Sequence, residues 1–259
     1  STPIKSSAAS DVYKRQGMLL QRMDYSGKFF PDMQPLNVFV VALIAMLVCA
    51  AFGTVTGFFI AYLNVPPFIA TLAMMEIVYG IGLIVTNATP LGGYVEQYTN
   101  VSNGKFLGIN YLIWIAIIVA AITWFIFNMT RHGKYMYAIG GNPQAAEVAG
   151  VPVKATLILI YMKAAAMYGL AGFMLGAKAG GASVQTGYGY EMEAIAACTI
   201  GGVSVTGGRG KVSSAIIGVA VFELLKVALQ YLGMNANAQY IAIGVVISVS
   251  YTHLTLPTT

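Results

Sequence analysis

The chain has 259 residues, of which 58% are hydrophobic and only 9% are charged, and its mean hydropathy is +0.73. Because soluble domains carry about 25% charged residues, this composition excludes a water-soluble globular protein and indicates an integral membrane protein. The formal net charge is +5, but the basic residues lie at the ends of apolar segments, where they set orientation in the membrane. Membrane lipid is therefore an expected partner, and nucleic acid is not.

The two ends of the chain differ from its apolar middle. Residues 1–16 form a polar stretch without the apolar region of a signal peptide, and residues 248–259 interrupt an apolar run. Both stretches resemble sequence added during cloning or assembly. We therefore expect residues 17–247 to be the native part of the chain and the two terminal stretches to be non-native.

Six apolar runs predict membrane-spanning helices. A run of about 20 residues rises about 30 Å as a helix, which is enough to cross the hydrocarbon core. The first run contains no charge and ends at the sequence "NVPP", because proline removes a backbone donor. The predicted spans cover residues 37–64, 68–85, 106–127, 156–177 and 213–232, and a sixth run starts at residue 238.

The loops between these spans predict the orientation of the chain. Residues 130–155 carry three basic residues and one acid, whereas residues 90–105 carry one of each. Basic loops remain on the cytoplasmic side of a membrane. We therefore expect residues 130–155 in the cytoplasm and residues 90–105 outside.

The stretch "YEMEAIAACTIGGVSVTGGRGK", residues 190–211, does not fit a simple span. It begins with two acids, becomes apolar and then becomes rich in glycine. A short helix followed by a glycine-rich break is typical of the discontinuous helices of transporters, because irregular backbone at membrane depth needs protein or water around it. The stretch could instead be an ordinary external loop, but "AIAACTIGG" is more apolar than a free loop.

Two further patterns indicate packing rather than transport. Gly172, Gly176 and Gly180 fall four residues apart, and small residues at this spacing let membrane helices approach closely. Glu223 and Lys226 lie three residues apart in the fifth run, so they are expected to pair with each other, as a structural pair or at most a gate.

The stretch "NPQAAEVAG" predicts a short helix in the cytoplasmic loop. Asn142 suits an N-cap, Pro143 suits the first turn, and Gly150 suits the C-terminal stop. A helix of two turns is marginal on its own, so we expect a partner protein to supply a groove for it. The side exposed to that partner is predicted to be small and to contain Ala145, Ala146 and Ala149.

At this point several segments resemble one family. The stretch "NPQAAEVAGV", preceded by "TRHGKYMYAIGG", is similar to the coupling region of the membrane permeases of bacterial ABC sugar importers, the ribose and galactose group. The segments "GFFIAYLNVPPFIATLAMMEIVYGI" and "YEMEAIAACTIGGVSVTGGRG" also resemble this family. The segment "LLQRMDYSGKFFPDMQP" is similar to its galactose/methyl-galactoside members in particular. The resemblance covers about residues 17–247.

The resemblance implies an all-α fold, a polytopic transmembrane helical bundle with a broken or re-entrant segment and a short cytoplasmic coupling helix. Residues 17–247 would be a partial transmembrane domain, because family members begin with further membrane helices and a "GxDLS"-type broken segment. The implied location is the bacterial cell (inner) membrane. The implied partners are cytoplasmic ABC ATPase subunits, a periplasmic or extracellular sugar-binding protein and a second permease copy that completes a homodimer.

The resemblance also implies two groups of site residues. In the family an alanine pair and a following glycine dock into the ATPase, which places the coupling residues at Asn142, Pro143, Ala145, Ala146 and Gly150. A neutral sugar needs hydrogen-bonding groups and small residues along its route. The residues expected along this substrate path are Glu191, Glu193, Thr199, Gly201, Gly202, Ser204 and Thr206.

The sequence offers no pattern for catalysis. It lacks Ser–His–Asp, Cys–His and paired-carboxylate arrangements, and "GGVSVTGGRG" lacks the GxxxxGK[ST] order of a phosphate-binding loop. We therefore expect no enzyme activity, cofactor, metal or bound nucleotide.

Three rival functions fit the same composition. The strongest rival is an ion-coupled secondary transporter, although the sequence has no cluster of acids for ion coupling. A membrane scaffold without transport would need only the glycine packing face, but it does not account for the glycine-rich break. A permease for a vitamin or an autoinducer would share the same overall pattern as a sugar permease.

Overall fold

The computed structural model of the chain describes residues 18–23, 35–87, 89–183, 186–187, 189–204, 207–235, 238–242, 244–246 and 248. This part of the chain is mainly helical, with one antiparallel hairpin of β1 (Lys105–Phe106) and β2 (Ile109–Asn110). The helices are α1 (Val38–Tyr62), α2 (Pro67–Thr86), α3 (Glu96–Asn103), α4 (Tyr111–Met129), α5 (Arg131–Gly141), α6 (Pro143–Val148), α7 (Val153–Ala179), α8 (Tyr190–Ile200) and α9 (Val212–Tyr231).

Five of these helices are long and apolar enough to cross a membrane, namely α1, α2, α4, α7 and α9. They confirm the five complete spans and the all-α, polytopic fold class that the sequence predicts. The described residues from 238 onward are also helical. The predicted non-native stretches lie outside the described residues, except for residue 248.

The structure corrects two boundaries near the predicted outer loop. The third span begins at Tyr111 rather than at residue 106, because residues 105–110 form the hairpin. The preceding polar stretch is not only loop, because it contains α3. Asn110 Nδ2 donates to the backbone oxygen of Ser102, which holds the hairpin against the end of α3.

The chain divides into two compact units. The first unit contains Thr2–Val119 and Lys154–Gly189, and the second contains Ala120–Val153 and Tyr190–Thr259. The second unit contains α5, α6, α8 and α9. We call it the coupling unit, because α6 is formed by the stretch predicted to be the coupling helix.

In the first unit, α1 and α7 pack closely through small residues. Gly53 and Gly57 lie four residues apart on α1, and a Cβ on Gly57 would be 2.8 Å from the Cα of Ile158. A Cβ on Gly53 would meet Ala165, and one on Gly169 of α7 would contact α1 in turn. Such contacts are typical of membrane helices, which associate by close backbone packing.

The small-residue face predicted on α7 is only partly present. Gly172 and Gly176 are buried, but Gly180 follows the end of the helix and has φ +64°. The prediction is therefore wrong at Gly180, because the chain leaves the helical path there.

The N-terminal described residues pack against α3 and the second half of α7 in the first unit. Tyr98 of α3 is fully buried, and its hydroxyl donates to the backbone oxygen of Phe173 at 2.8 Å. Leu20 lies in the same apolar cluster, and Gln21 forms an antiparallel bridge with Tyr94. These contacts fix α3 against the end of α7.

In the coupling unit, α8 and α9 also cross through small residues. A Cβ on Gly218 would meet the backbone oxygen of Ala197, and one on Gly201 would meet the backbone oxygen of Ser214. The pairs Ala197/Gly201 and Ser214/Gly218 are each spaced four residues apart, as in other close membrane crossings. Phe222 is 2% exposed and packs on Ala197.

Candidate coupling site

The predicted cytoplasmic helix is present as α6. Asn142 Oδ1 accepts a hydrogen bond from the backbone N–H of Ala145 at 3.0 Å, and Pro143 occupies the first turn. At the other end Gly150 has φ +82°, its N–H donates to Glu147, and the N–H of Val151 donates to Ala146. This pair of bonds is a Schellman motif, so the predicted start and stop are confirmed.

The exposed face of α6 differs from the prediction at Ala146. Ala146 is only 4% exposed, because α6 folds back onto α5 and this short helix must bury one face. The expectation that Ala146 belongs to the exposed side is therefore wrong. Ala145 and Ala149 are exposed as expected, and the side chain of Val148 is 91% exposed.

Sequence reasoning misses α5, which leads directly into α6. Its three glycines lower its helix propensity, so the pattern favours a loop. Thr130 is the signal that could have found the helix, because its hydroxyl oxygen accepts from the N–H of Gly133 at 3.1 Å and acts as the N-cap. A Cβ on Gly133 would meet the backbone oxygens of Ile126 and Phe127, so glycine is needed where α5 starts close to the end of α4.

The predicted glycine-rich break follows α8. Gly202 has φ +79°, its N–H donates to Thr199 at 2.9 Å, and the N–H of Val203 donates to Cys198 at 3.0 Å. These bonds form a second Schellman motif. The helix therefore ends at a defined stop, and α9 begins after the break.

Helix α5 contacts this break directly within the coupling unit. A Cβ on Gly140 would meet the backbone nitrogen of Gly208, and one on Gly208 would lie 2.8 Å from the backbone carbon of Gly140. Tyr137 Oη donates to the backbone oxygen of Gly210 at 2.8 Å. Its ring packs edge to face on Phe127, with centroids 5.8 Å apart.

Two of the predicted path residues are occupied by partners inside the chain. Glu193 Oε2 accepts from Lys226 Nζ at 2.8 Å. Thr199 is 4% exposed, and its hydroxyl donates to the backbone oxygen of Ala196. The predicted Glu223–Lys226 contact exists at 3.8 Å, but Glu193 is the closer carboxylate. No local pattern in the sequence indicates this pairing across 33 residues.

The other predicted path residues fall into three groups. Glu191 is 7% exposed, and its Oε2 is buried without a hydrogen-bond partner among the described residues. Gly201 lies where α8 and α9 cross, and Gly202 ends α8, as described above. Ser204 donates its backbone N–H to Arg209 across the break, and Thr206 lies outside the described residues.

Comparison with known proteins identifies the family of the chain. A family model described as "Branched-chain amino acid transport system / permease component" matches residues 11–250. The chain belongs to this family. No solved structure shows a significant match to the permease.

The permease is also similar to individual characterised proteins. It is 40% identical over 236 residues to the galactose/methyl galactoside import permease protein MglC of Escherichia coli (strain K12), which covers 88% of the permease and 70% of that relative. It is 40% identical over 236 residues to MglC of Haemophilus influenzae, with the same shares covered. The ribose import permease protein RbsC of Escherichia coli (strain K12) is 35% identical over 215 residues, covering 82% and 67%.

Proposed function

We propose that this permease is the membrane subunit of an ATP-driven bacterial importer for a monosaccharide of the galactose/methyl-galactoside or ribose type. Its family and the names of its relatives support this function. Two copies form the translocation path in the inner membrane, separate cytoplasmic ATPase subunits drive it, and a sugar-binding protein delivers the substrate. The permease itself catalyses no reaction and binds no nucleotide.

The observation that carries this proposal is the structure of α6. It is a capped helix of six residues. In chain order it lies between α4 and α7, which are both able to span a membrane. A helix this short gains little stability from its own hydrogen bonds, and Val148 is almost completely exposed. An apolar side chain on a short exposed helix fits the helix-in-groove type of recognition. The ATPase supplies the groove.

Within the coupling unit, Glu191 is the best-supported contact to a polyol. A buried carboxylate oxygen without a partner has a large desolvation cost, and a sugar hydroxyl can donate a hydrogen bond to it. Glu193 and Thr199 are already occupied, so we assign them structural roles. The proposed sugar path therefore passes the first turn of α8 and does not follow the whole length of this helix.

The experiment that tests the function co-expresses the permease with the ATPase subunits and the sugar-binding protein of the proposed importer. The ATPase is co-purified in detergent, and uptake of labelled methyl galactoside and ribose is measured in proteoliposomes with internal ATP. Val148→Asp places a charge in the expected groove, and a loss of about tenfold or more in ATPase affinity is expected. Because Val148 is exposed, this change removes no buried contact of α6.

Gln97→Asp is the matched control, because Gln97 is an exposed residue of α3 in the predicted outer loop. It should leave ATPase association unchanged. ATP-dependent uptake with an effect confined to Val148→Asp supports the importer. Uptake that needs no ATPase but follows an ion gradient identifies a secondary transporter instead, and equal binding by both variants removes α6 from the docking site.

A further inference from the structure

The contact between α5 and the glycine-rich break connects two parts of the coupling unit that are far apart in sequence. Tyr137 and Gly210 are separated by 73 residues, yet the tyrosine hydroxyl donates to the glycine oxygen at 2.8 Å. Gly140 and Gly208 touch backbone to backbone, with no side chain between them. A contact without side chains cannot yield by rotamer change, so a displacement on one side moves the other.

The same helix is joined firmly to α6 through a single residue. The N–H of Asn142 donates to Ala138 at 3.0 Å and ends α5, while its side chain accepts from Ala145 and begins α6. Helix α6 also contacts α5. A force applied to α6 therefore reaches α5 without an intervening flexible loop.

The break is in turn connected to α8 and α9, the helices on either side of it. The Schellman motif at Gly202 fixes it to α8, and the N–H of Ser204 donates to the oxygen of Arg209 at 3.0 Å across it. Gly210 lies two residues before the start of α9. The ring of Tyr137 also packs on Phe127 at the end of α4, so this one side chain of α5 contacts both α4 and the break.

We propose that α5 transmits closure of the ATPase from α6 to the glycine-rich break, and that Tyr137 is the positioning residue that maintains this connection. The proposal rests on the proposed importer function. It assigns a role to α5 and locates the moving element at the break, where the Gly140–Gly208 contact and the Tyr137–Gly210 hydrogen bond act together. The amount of sugar moved per ATP hydrolysed should depend on both.

The test compares two pairs of matched variants. Tyr137→Phe removes the hydroxyl and keeps the ring on Phe127, whereas Tyr135→Phe removes a hydroxyl from the same helix for which the described residues provide no hydrogen-bond partner. Gly140→Ala places a methyl group against Gly208, whereas Gly141→Ala places one that meets no heavy atom within 4 Å beyond its own stretch of helix.

Three quantities are measured for each variant: ATPase co-purification, ATP hydrolysis stimulated by the binding protein, and uptake in proteoliposomes. Tyr137→Phe should keep ATPase association within about twofold and lower the sugar moved per ATP by about three- to tenfold, the range for loss of one hydrogen bond. Gly140→Ala should lower this ratio at least as much. The Tyr135 and Gly141 variants should match the wild type.

The proposed connection is overturned if the parent protein transports sugar and both Tyr137→Phe and Gly140→Ala move as much sugar per ATP as the wild type. The importer function then still stands. A proportional fall of association, hydrolysis and uptake in Tyr137→Phe also overturns it, because that pattern indicates only a structural role. Absence of ATP-dependent uptake in the parent protein removes both proposals.

Discussion

Lys226 Nζ lies 2.8 Å from Glu193 Oε2, and this ion pair joins α9 to α8 beside their close backbone crossing. Both side chains are largely buried, with 21% and 19% of their surfaces exposed. The cation of Lys226 holds Oε2 of this carboxylate where α8 and α9 cross. The pair therefore belongs to the packing of the coupling unit.

Removal of either partner should destabilise the permease. Glu193→Gln or Lys226→Met leaves a largely buried charge without its partner, which costs about 1–3 kcal/mol. The free energy of unfolding is measured in mixed micelles for both single variants and for the double variant. A double-mutant cycle should give a coupling energy of at least about 1 kcal/mol.

Glu223→Gln provides the control for this pair. Its carboxylate is 3.8 Å from Lys226, and its side chain is 57% exposed, so its loss should cost no more than about 0.5 kcal/mol. An equal cost for Glu193 and Glu223 would show that Lys226 does not prefer Glu193.

The N-cap of α6 gives a second prediction. Asn142→Ala removes the acceptor for Ala145 N–H, and loss of such a cap costs about 1 kcal/mol. In a helix of six residues this loss should appear mainly as weaker ATPase binding, by about fivefold. Asn142→Asp keeps the acceptor and should bind normally, as measured by co-purification across a range of ATPase concentrations. Equal binding by the alanine variant would mean that the ATPase does not need a preformed α6.

Local signals explain what the sequence could predict. Asn142 and Gly150 mark the ends of α6 because each acts within five residues. The contacts of Tyr137 with Gly210 and of Glu193 with Lys226 could not be predicted, because they depend on how distant elements pack. Helix α5 escapes prediction for a related reason: its glycines oppose a helix locally, and two of them, Gly133 and Gly140, are needed for close approach to other backbone.

Gly202 gives a third prediction, because it ends α8 in the left-handed region. A Cβ there has open space around it, so strain in the backbone is the main cost. Gly202→Ala should lower the free energy of unfolding by about 1–2 kcal/mol, and Gly202→Asn should cost clearly less because asparagine tolerates this conformation. Thermal unfolding of both variants in detergent checks this order. Equal losses of stability in the alanine and asparagine variants would indicate that a contact of the added side chain, rather than backbone strain, is the cause.

The crossing of α1 and α7 gives a fourth prediction. Gly57→Leu must separate the two helices, because even a Cβ would lie 2.8 Å from Ile158 Cα, and a loss of about 3 kcal/mol or more is expected. Gly80→Leu on α2 is the control, since no heavy atom lies within 4 Å of a Cβ there. Size-exclusion profiles after graded heating should show early aggregation of the first variant only. If both variants withstand heating equally well, α1 and α7 are not in close contact in the detergent-solubilised permease.

Leu107 gives the last prediction, because its backbone conformation does not suit its side chain. It occupies the two-residue turn between β1 and β2 with φ +53°, and its side chain is 79% exposed. The other described non-glycine residues with positive φ are Asn64 and Asn87, which tolerate that region. Leu107→Asn should therefore raise the free energy of unfolding in detergent by about 1 kcal/mol. A loss of stability instead would show that Leu107 is covered in the assembled permease, because only burial of its side chain could offset the strain.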